Sequence, residues 1–187
     1  MTRQSQIISR ICSSQVLRSR IADSRGRLYR VALAWCNNAM LADDLVQETM
    51  AIAIQRHHQL RDQERLYAWL YSILNNTWRQ HLRRQRDYSQ YDEDLQHDER
   101  DPEFNMQALE IITKVRKAVS ALPEDQRQVI ALVDLEGFTY CEVAGILEIP
   151  IGTVMSRLHR ARKSLQNVLE ELKPRHEIRK DHLRRVK

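Results

Sequence analysis

The stretch "IPIGTVMSRLHRARKSL" (Ile149 to Leu165) sets Ser156, Arg157, His159, Arg160, Arg162 and Lys163 within a few helical turns of one another. An Arg guanidinium can donate two parallel hydrogen bonds to guanine O6 and N7, while further cations neutralise phosphates. That is chemistry for gripping duplex DNA, although a solvated cationic helix face has the same composition. Nothing comparable points to catalysis. His57 and His58 are adjacent, and there is no HExxH, Gly-rich phosphate loop or nucleophile elbow. The densest carboxylates fall in a segment too polar to be rigid, so no metal site, no cofactor, no small-molecule substrate and no enzymatic activity are expected.

The element that must present the cationic set is a pair of helices. "TYCEVAGIL", a three-residue break "EIP" and "IGTVMSRLHRARKSLQNVLEEL", with Thr153 near the start of the second helix, form a helix-turn-helix signature. Val143, Ala144, Leu147, Ile149, Val154 and Leu158 supply the inward face, and the small Ala144 lets the helices approach. With that face buried, the polar set points outward. Glu148 stands near the position where such turns often carry Gly, so the break is made without a left-handed glycine.

The rest of the 187-residue chain supports this pair. Only 4 Gly and 4 Pro, with abundant Leu, Arg, Gln, Ala and Glu, leave few hairpin signals and predict an all-α protein. Helices are expected over about 43–58 and 64–85, the second carrying Leu66, Trp69, Leu70, Ile73, Leu74 and Trp78 on one stripe. "RLYRVALAWCNNAM" supplies a further amphipathic segment. In "DYSQYDEDLQHDERDPE" eight carboxylates face Arg100 alone, which marks an acidic flexible linker. Beyond it, Leu109, Ile112, Val115, Val119 and Leu122 form a stripe ending at "LPED", where Pro123 suits the first turn of the next helix, and Gly137 suits a left-handed helix end.

The expected architecture is therefore two small helical domains joined by an acidic linker, the second a four-helix domain containing the helix-turn-helix. The divisions fall at 1–20 (N-terminal extension), 21–86, 87–107 (linker), 108–172 and 173–187 (basic tail). A formal charge of +5 is weak support for any partner until its distribution is considered. Cys12, Cys36 and Cys141 show neither zinc-ligand nor disulfide-framework spacing. No apolar run approaches bilayer length, so the reading is a cytoplasmic, soluble protein with no direct membrane insertion.

The segment "ALPEDQRQVIALVDLEGFTYCEVAGILEIPIGTVMSRLHRARKSL" resembles the C-terminal DNA-binding region of sigma factors of the extracytoplasmic-function (ECF) group of the sigma-70 family. "DDLVQETMAIAIQRHHQL" and "AWLYSILNNTWRQHLRR" are similar to that family's other conserved region, in the same order, and the likeness spans about residues 20–172. It implies a subunit that binds core RNA polymerase and directs promoter-specific transcription initiation. Residues 21–86 would be sigma region 2, for core polymerase and the minus-10 element, and 108–172 region 4, for the minus-35 element.

Carried over by motif position, Ser156 and Arg160 are candidates for minus-35 base edges, with Thr153, Arg157 and Arg162 for backbone contacts or packing and Lys163 among the phosphate-facing cations. Relatives often have a basic residue where this chain has Met155, which puts one phosphate contact in doubt. Asp44, Gln47 and Glu48 would dock on a coiled-coil of the polymerase's largest subunit, where an acidic and amide row can pair with an Arg-rich helix; helix N-terminal charge is their structural alternative. The flap of the polymerase is the expected partner of the C-terminal domain.

For minus-10 the resemblance points to the loop at about 58–64 and to Asn76, with Trp78, Arg79, Arg83 and Arg84 supplying the stacking and cationic surfaces a flipped base requires. Trp69 and Tyr71 offer the same chemistry, with core packing favoured for Trp69, and Gln80 departs from an Asp common in relatives. The linker could imitate a transcript or serve as a tether, and an anti-sigma factor engaging apolar grooves on both halves is expected.

A stand-alone helix-turn-helix regulator is the alternative, which would dimerise on half-sites about one helical turn apart. Replacing Arg160 with Ala is expected to cost roughly 1–3 kcal/mol at a single base position if the contact is bidentate. Binding measured across single-base variants checks this, and uniform weakening assigns the side chain to phosphate.

Overall fold

The computed structural model describes residues 15–88 and 106–172. Among these residues every regular element is helical. In the first half, α1 (residues 15–23), α2 (Arg25–Cys36), α3 (Ala39–Arg56) and α4 (Leu66–Tyr88) pack around Leu28, Val31, Trp35, Val46, Leu66, Leu70 and Leu74. The second half comprises α5 (Met106–Ser120), α6 (Glu124–Ile130) with a π turn (Ala131–Leu135), α7 (Tyr140–Leu147) and α8 (Ile151–Leu172). Most of the expected acidic linker, the start of the N-terminal extension and the basic tail lie outside the described residues.

Several boundaries differ from the sequence expectation for identifiable reasons. The expected helix from residue 43 begins at Ala39, because Asn37 closes α2 in a left-handed conformation (φ 50°) and the Asn38 side chain caps α3 by accepting from Leu41 N at 3.0 Å. Leu66, not residue 64, starts α4, since Asp62 caps a short 3-10 turn over Gln63–Arg65. Pro123 is the N-cap of α6 rather than its first residue. Ile54 of α3 is 40% exposed, although its four-residue spacing from Met50 sets it on the side that half-buries Met50. Leu17 of α1, within the stretch expected as an N-terminal extension, is buried in the core.

The helix-turn-helix forms from α7 and α8. Thr139 caps α7 in a complete capping box: its hydroxyl accepts from Glu142 N, and the Glu142 carboxylate accepts from Thr139 N at 2.8 Å. Val143, Ile146, Leu147, Val154, Leu158 and Ala161 are buried between the pair and α6, with Ala144 and Ile149 half-buried. Glu148 closes α7 at φ 56°, taking the left-handed conformation itself. Left-handed backbone costs a non-glycine residue roughly 1–2 kcal/mol.

The tether is not all that joins the halves. One apolar cluster runs through both, and α4 lies against α7 while α2 lies against α6 and the π turn. At the centre is Glu136, whose side chain is 1% exposed. The π turn and the left-handed Gly137 (φ 76°) place it at a reversal, and its Oε2 accepts from Arg27 Nε at 2.8 Å and Nη2 at 2.7 Å. Arg30 lies 3.7 Å from Oε1, an oxygen with no hydrogen-bond partner. The Arg27 guanidinium also stands 4.1 Å over the Tyr67 ring.

Around this pair, Asn75 Nδ2 donates to the Ile146 carbonyl at 3.2 Å and Trp78 Nε1 to Glu124 at 2.9 Å. Arg79 pairs with Glu148 at 3.0 Å, and Tyr71 meets Phe138 edge-to-face at 5.4 Å. Burial, followed by the nearby Glu136 charge, pushes the Tyr71 phenol far up, yet its hydroxyl has no hydrogen bond of good geometry.

Two outcomes follow from this packing. Hydrogen bonds from Thr139 hold the Glu142 carboxyl below its ordinary value, so its stabilisation is present above that value and lost as pH falls through the lowered folded one. Thr139→Ala should destabilise the C-terminal half by about 1 kcal/mol at neutral pH and flatten this acid dependence in thermal melts. Arg27→Ala leaves the Glu136 carboxylate without its main partner and should weaken the contact between halves by about 3 kcal/mol. Small-angle scattering would then show a larger radius of gyration, with Arg27→Lys intermediate.

Candidate nucleic-acid interface

The N-terminal turns of α8 carry the residues singled out in the sequence. Val154, Leu158, Ala161 and Leu165 face inward, so Met155, Ser156, His159, Arg160 and Lys163 share the exposed face. Thr153 is half-buried within the first turn of α8 and its carbonyl accepts from Ser156 Oγ at 3.1 Å. Arg160 Nε donates to the Ser156 carbonyl at 3.2 Å, which leaves the rest of its fork outward. No carboxylate pairs with His159, Arg160 or Lys163 among the described residues.

Arg157 and Arg162 are placed differently. Arg157, 25% exposed, pairs with Asp125 at 3.0 Å, and Arg162 makes a bidentate pair with Asp134 through Nε at 3.2 Å and Nη2 at 2.5 Å. The Asp134 hydrogen bond raises the Arg162 pKa further. Both residues tie α8 to α6 and its π turn, the packing role left open for them in the sequence.

On the first half, α3 presents Asp44, Gln47 and Glu48 to solvent on one surface, with Leu45, Val46 and Thr49 buried behind them. Their neighbour Asp43 pairs instead with Arg25 at 2.6 Å. This is an exposed acidic and amide row backed by a rigid apolar face.

The expected minus-10 group divides. Asn76, Arg83 and Arg84 are exposed on α4, the last two without an ion pair among the described residues. Trp78 is only 5% exposed, stacked on His81 at 5.8 Å between ring centroids and bonded to Glu124, and Arg79 is engaged by Glu148. Tyr71, offered as a stacking surface, is wholly buried, because its ring fills the space against Phe138. Trp69 is half-buried against the core.

The sequence reading missed Glu136, Glu124 and Asn75. A Glu just before a helix-ending glycine reads as an exposed residue, and burial gives it a role only once Arg27 is known to face it. Among the described residues no group of three potential ligands could hold a metal ion, and no helix is long and apolar enough to cross a membrane.

Comparison with known proteins agrees with this division. The sigma-70 region 2 profile matches residues 21–88 and the sigma-70 region 4 profile matches 112–165. The RNA polymerase sigma-H factor of Pseudomonas aeruginosa is 32% identical over 158 residues, covering 78% of this chain and 82% of its own. The ECF sigma factor EcfG of Rhodopseudomonas palustris is 34% identical over 154 residues, covering 82% and 84%.

Among solved structures, the sigma factor RpoE bound to the anti-sigma factor NepR, from Bartonella quintana, superposes with a TM-score of 0.70 at 29% identity, covering 81% of this chain and 95% of that one. CnrH bound to the cytosolic domain of CnrY shares the fold, with a TM-score of 0.58 at 23% identity over 84% and 89% of the chains. Two conserved regions in the family order, on an all-helical frame, place the chain in the ECF group of sigma-70 RNA polymerase sigma factors.

Proposed function

We propose that this sigma factor works through two separated surfaces and that the closed arrangement described above is its resting form. The exposed face of α8 takes the minus-35 element as duplex, with Ser156 and Arg160 at base edges and Lys163 at phosphate, while Arg157 and Arg162 hold the helix in place. Asp44, Gln47 and Glu48 on α3 dock on the Arg-rich coiled-coil of the polymerase's largest subunit, and the C-terminal domain meets the flap. The protein acts in the cytoplasm as a non-enzymatic initiation factor.

The observation that carries this reading is the division of the charged surface: a face on α8 whose His159, Arg160 and Lys163 meet no carboxylate among the described residues, and an acidic row on α3, each backed by buried apolar residues. Minus-10 capture by Asn76, Trp78, Arg79, Arg83 and Arg84 requires the halves to part, since Trp78 and Arg79 are held by Glu124 and Glu148. A buried ion pair loses in desolvation much of what it gains in attraction, so it adds little net stability. The Glu136 cluster, with Oε1 and the Tyr71 hydroxyl unsatisfied, therefore suits a contact that forms reproducibly and still separates.

An anti-sigma partner fits the same frame, because the RpoE and CnrH structures are complexes with NepR and CnrY. In this chain such a partner would stabilise the closed pair. The alternative of a stand-alone regulator is disfavoured by region 2, which such a protein has no use for.

Replacing Asp44, Gln47 and Glu48 together by Ala tests the assignment. These side chains are exposed, so the fold should persist. Co-elution with core polymerase is expected to weaken at least 10-fold, about 1.4 kcal/mol, and defined starts in reconstituted transcription should fade in step. Unchanged co-elution would remove α3 as the docking surface, and a wild-type chain that gives no defined start with core polymerase would remove the functional reading.

A further inference from the structure

The outward face of α8 holds an anomaly. Amid Ser156, His159, Arg160 and Lys163 stands Met155, 53% exposed, and one turn before it Ile151, 44% exposed. Residues four apart on a helix are neighbours, so the two form one small apolar step at the start of the cationic face. Single exposed apolar residues need no explanation. A pair of them at the N-terminal turns of the second helix of a helix-turn-helix is different, because those turns are the part that meets base edges in the major groove.

From this placement we infer that Met155, with Ile151 beside it, is a specificity-determining contact to the C5-methyl group of a thymine in the recognised duplex. The inference rests on the proposed minus-35 role of α8. Charge complementarity selects the occupant: His159, Arg160 and Lys163 follow the step along the exposed face of α8 without a carboxylate partner among the described residues, so what covers this face must carry negative charge beside an apolar spot. Duplex DNA offers phosphate walls and, at each A·T pair, one methyl group in the major groove. The unbranched, polarizable Met side chain has the reach and adaptability to follow that methyl. Ser156 and Arg160 supply hydrogen bonds to neighbouring base edges, so the thymine lies within the same element, on either strand.

The experiment uses the full chain with core polymerase on a duplex promoter that supports a defined start. Each upstream thymine is replaced in turn by deoxyuridine, which removes the methyl and nothing else. The wild-type complex is expected to lose about 4-fold in affinity at one or two positions, the worth of one buried methyl. Met155→Ala should lose about the same on unmodified DNA and become indifferent to deoxyuridine there, and Ile151→Ala should show a smaller version of this coupling.

Met155 is exposed, so an unchanged melting temperature serves as the folding control. Indifference of the wild type to deoxyuridine at every position would overturn the inference, as would a penalty that persists undiminished in both variants. A Met155→Ala effect confined to co-elution with core polymerase would also overturn it by assigning the side chain to a protein contact. Failure of the functional reading looks different, since no sequence-dependent complex or start would form at all.

Discussion

Burying a carboxylate at the junction of two helical bundles is costly unless the charge is met in kind, and this constraint organises the molecule. Glu136 is 1% exposed and depends on Arg27, a residue 109 positions earlier in the chain. Neither half can satisfy it alone. The π turn and Gly137 that position Glu136 also turn the chain from α6 into α7, so the interface and the entry to the helix-turn-helix share one stretch of backbone. Asn75, Trp78 and Arg79 then line the α4 side of the same contact, each giving a hydrogen bond to the second half.

This arrangement ties the two halves through α4 and α2. Trp78 and Arg79 of α4 serve as structural donors where the halves meet, and the cationic face of α8 and the acidic row of α3 remain on the outside. On the minus-10 role proposed for Trp78 and Arg79, Glu124 and Glu148 are the intramolecular acceptors that phosphate or base would have to replace. Exposed pairs such as Arg79 with Glu148, 45% and 64% exposed, contribute little on their own. The buried Glu136 pair and the apolar contact decide the balance.

Much of this was legible in the amino-acid order. The all-helical class followed from scarce Gly and Pro, the helix-turn-helix from its apolar spacing, and the inward set Val143, Leu147, Val154 and Leu158 is buried as expected. The outward placement of Ser156, Arg160 and Lys163 followed from the same period. Local signals were also overlooked: Asn37 and Asn38 mark the α2 to α3 break as plainly as a glycine would, one by its left-handed φ and the other by its cap. What periodicity could not show was the contact between halves. Trp78 and Tyr71 look like aromatic residues of a binding surface or a core, and only tertiary packing decides which. Glu136 and Glu124 look like surface acids until their partners arrive from the other half.

The most direct measurement of the central claim is the distance between the halves, read by energy transfer between labels on Asp23→Cys and Ser164→Cys in a chain lacking its other cysteines. Both positions are exposed, one in each half. The account predicts a single short distance for the free protein, lengthening when core polymerase and promoter DNA are added together, and a shift of the free protein toward the longer distance in Arg27→Ala. A distance that stays short in the transcribing complex, or one that is already long in the free wild type, would contradict it.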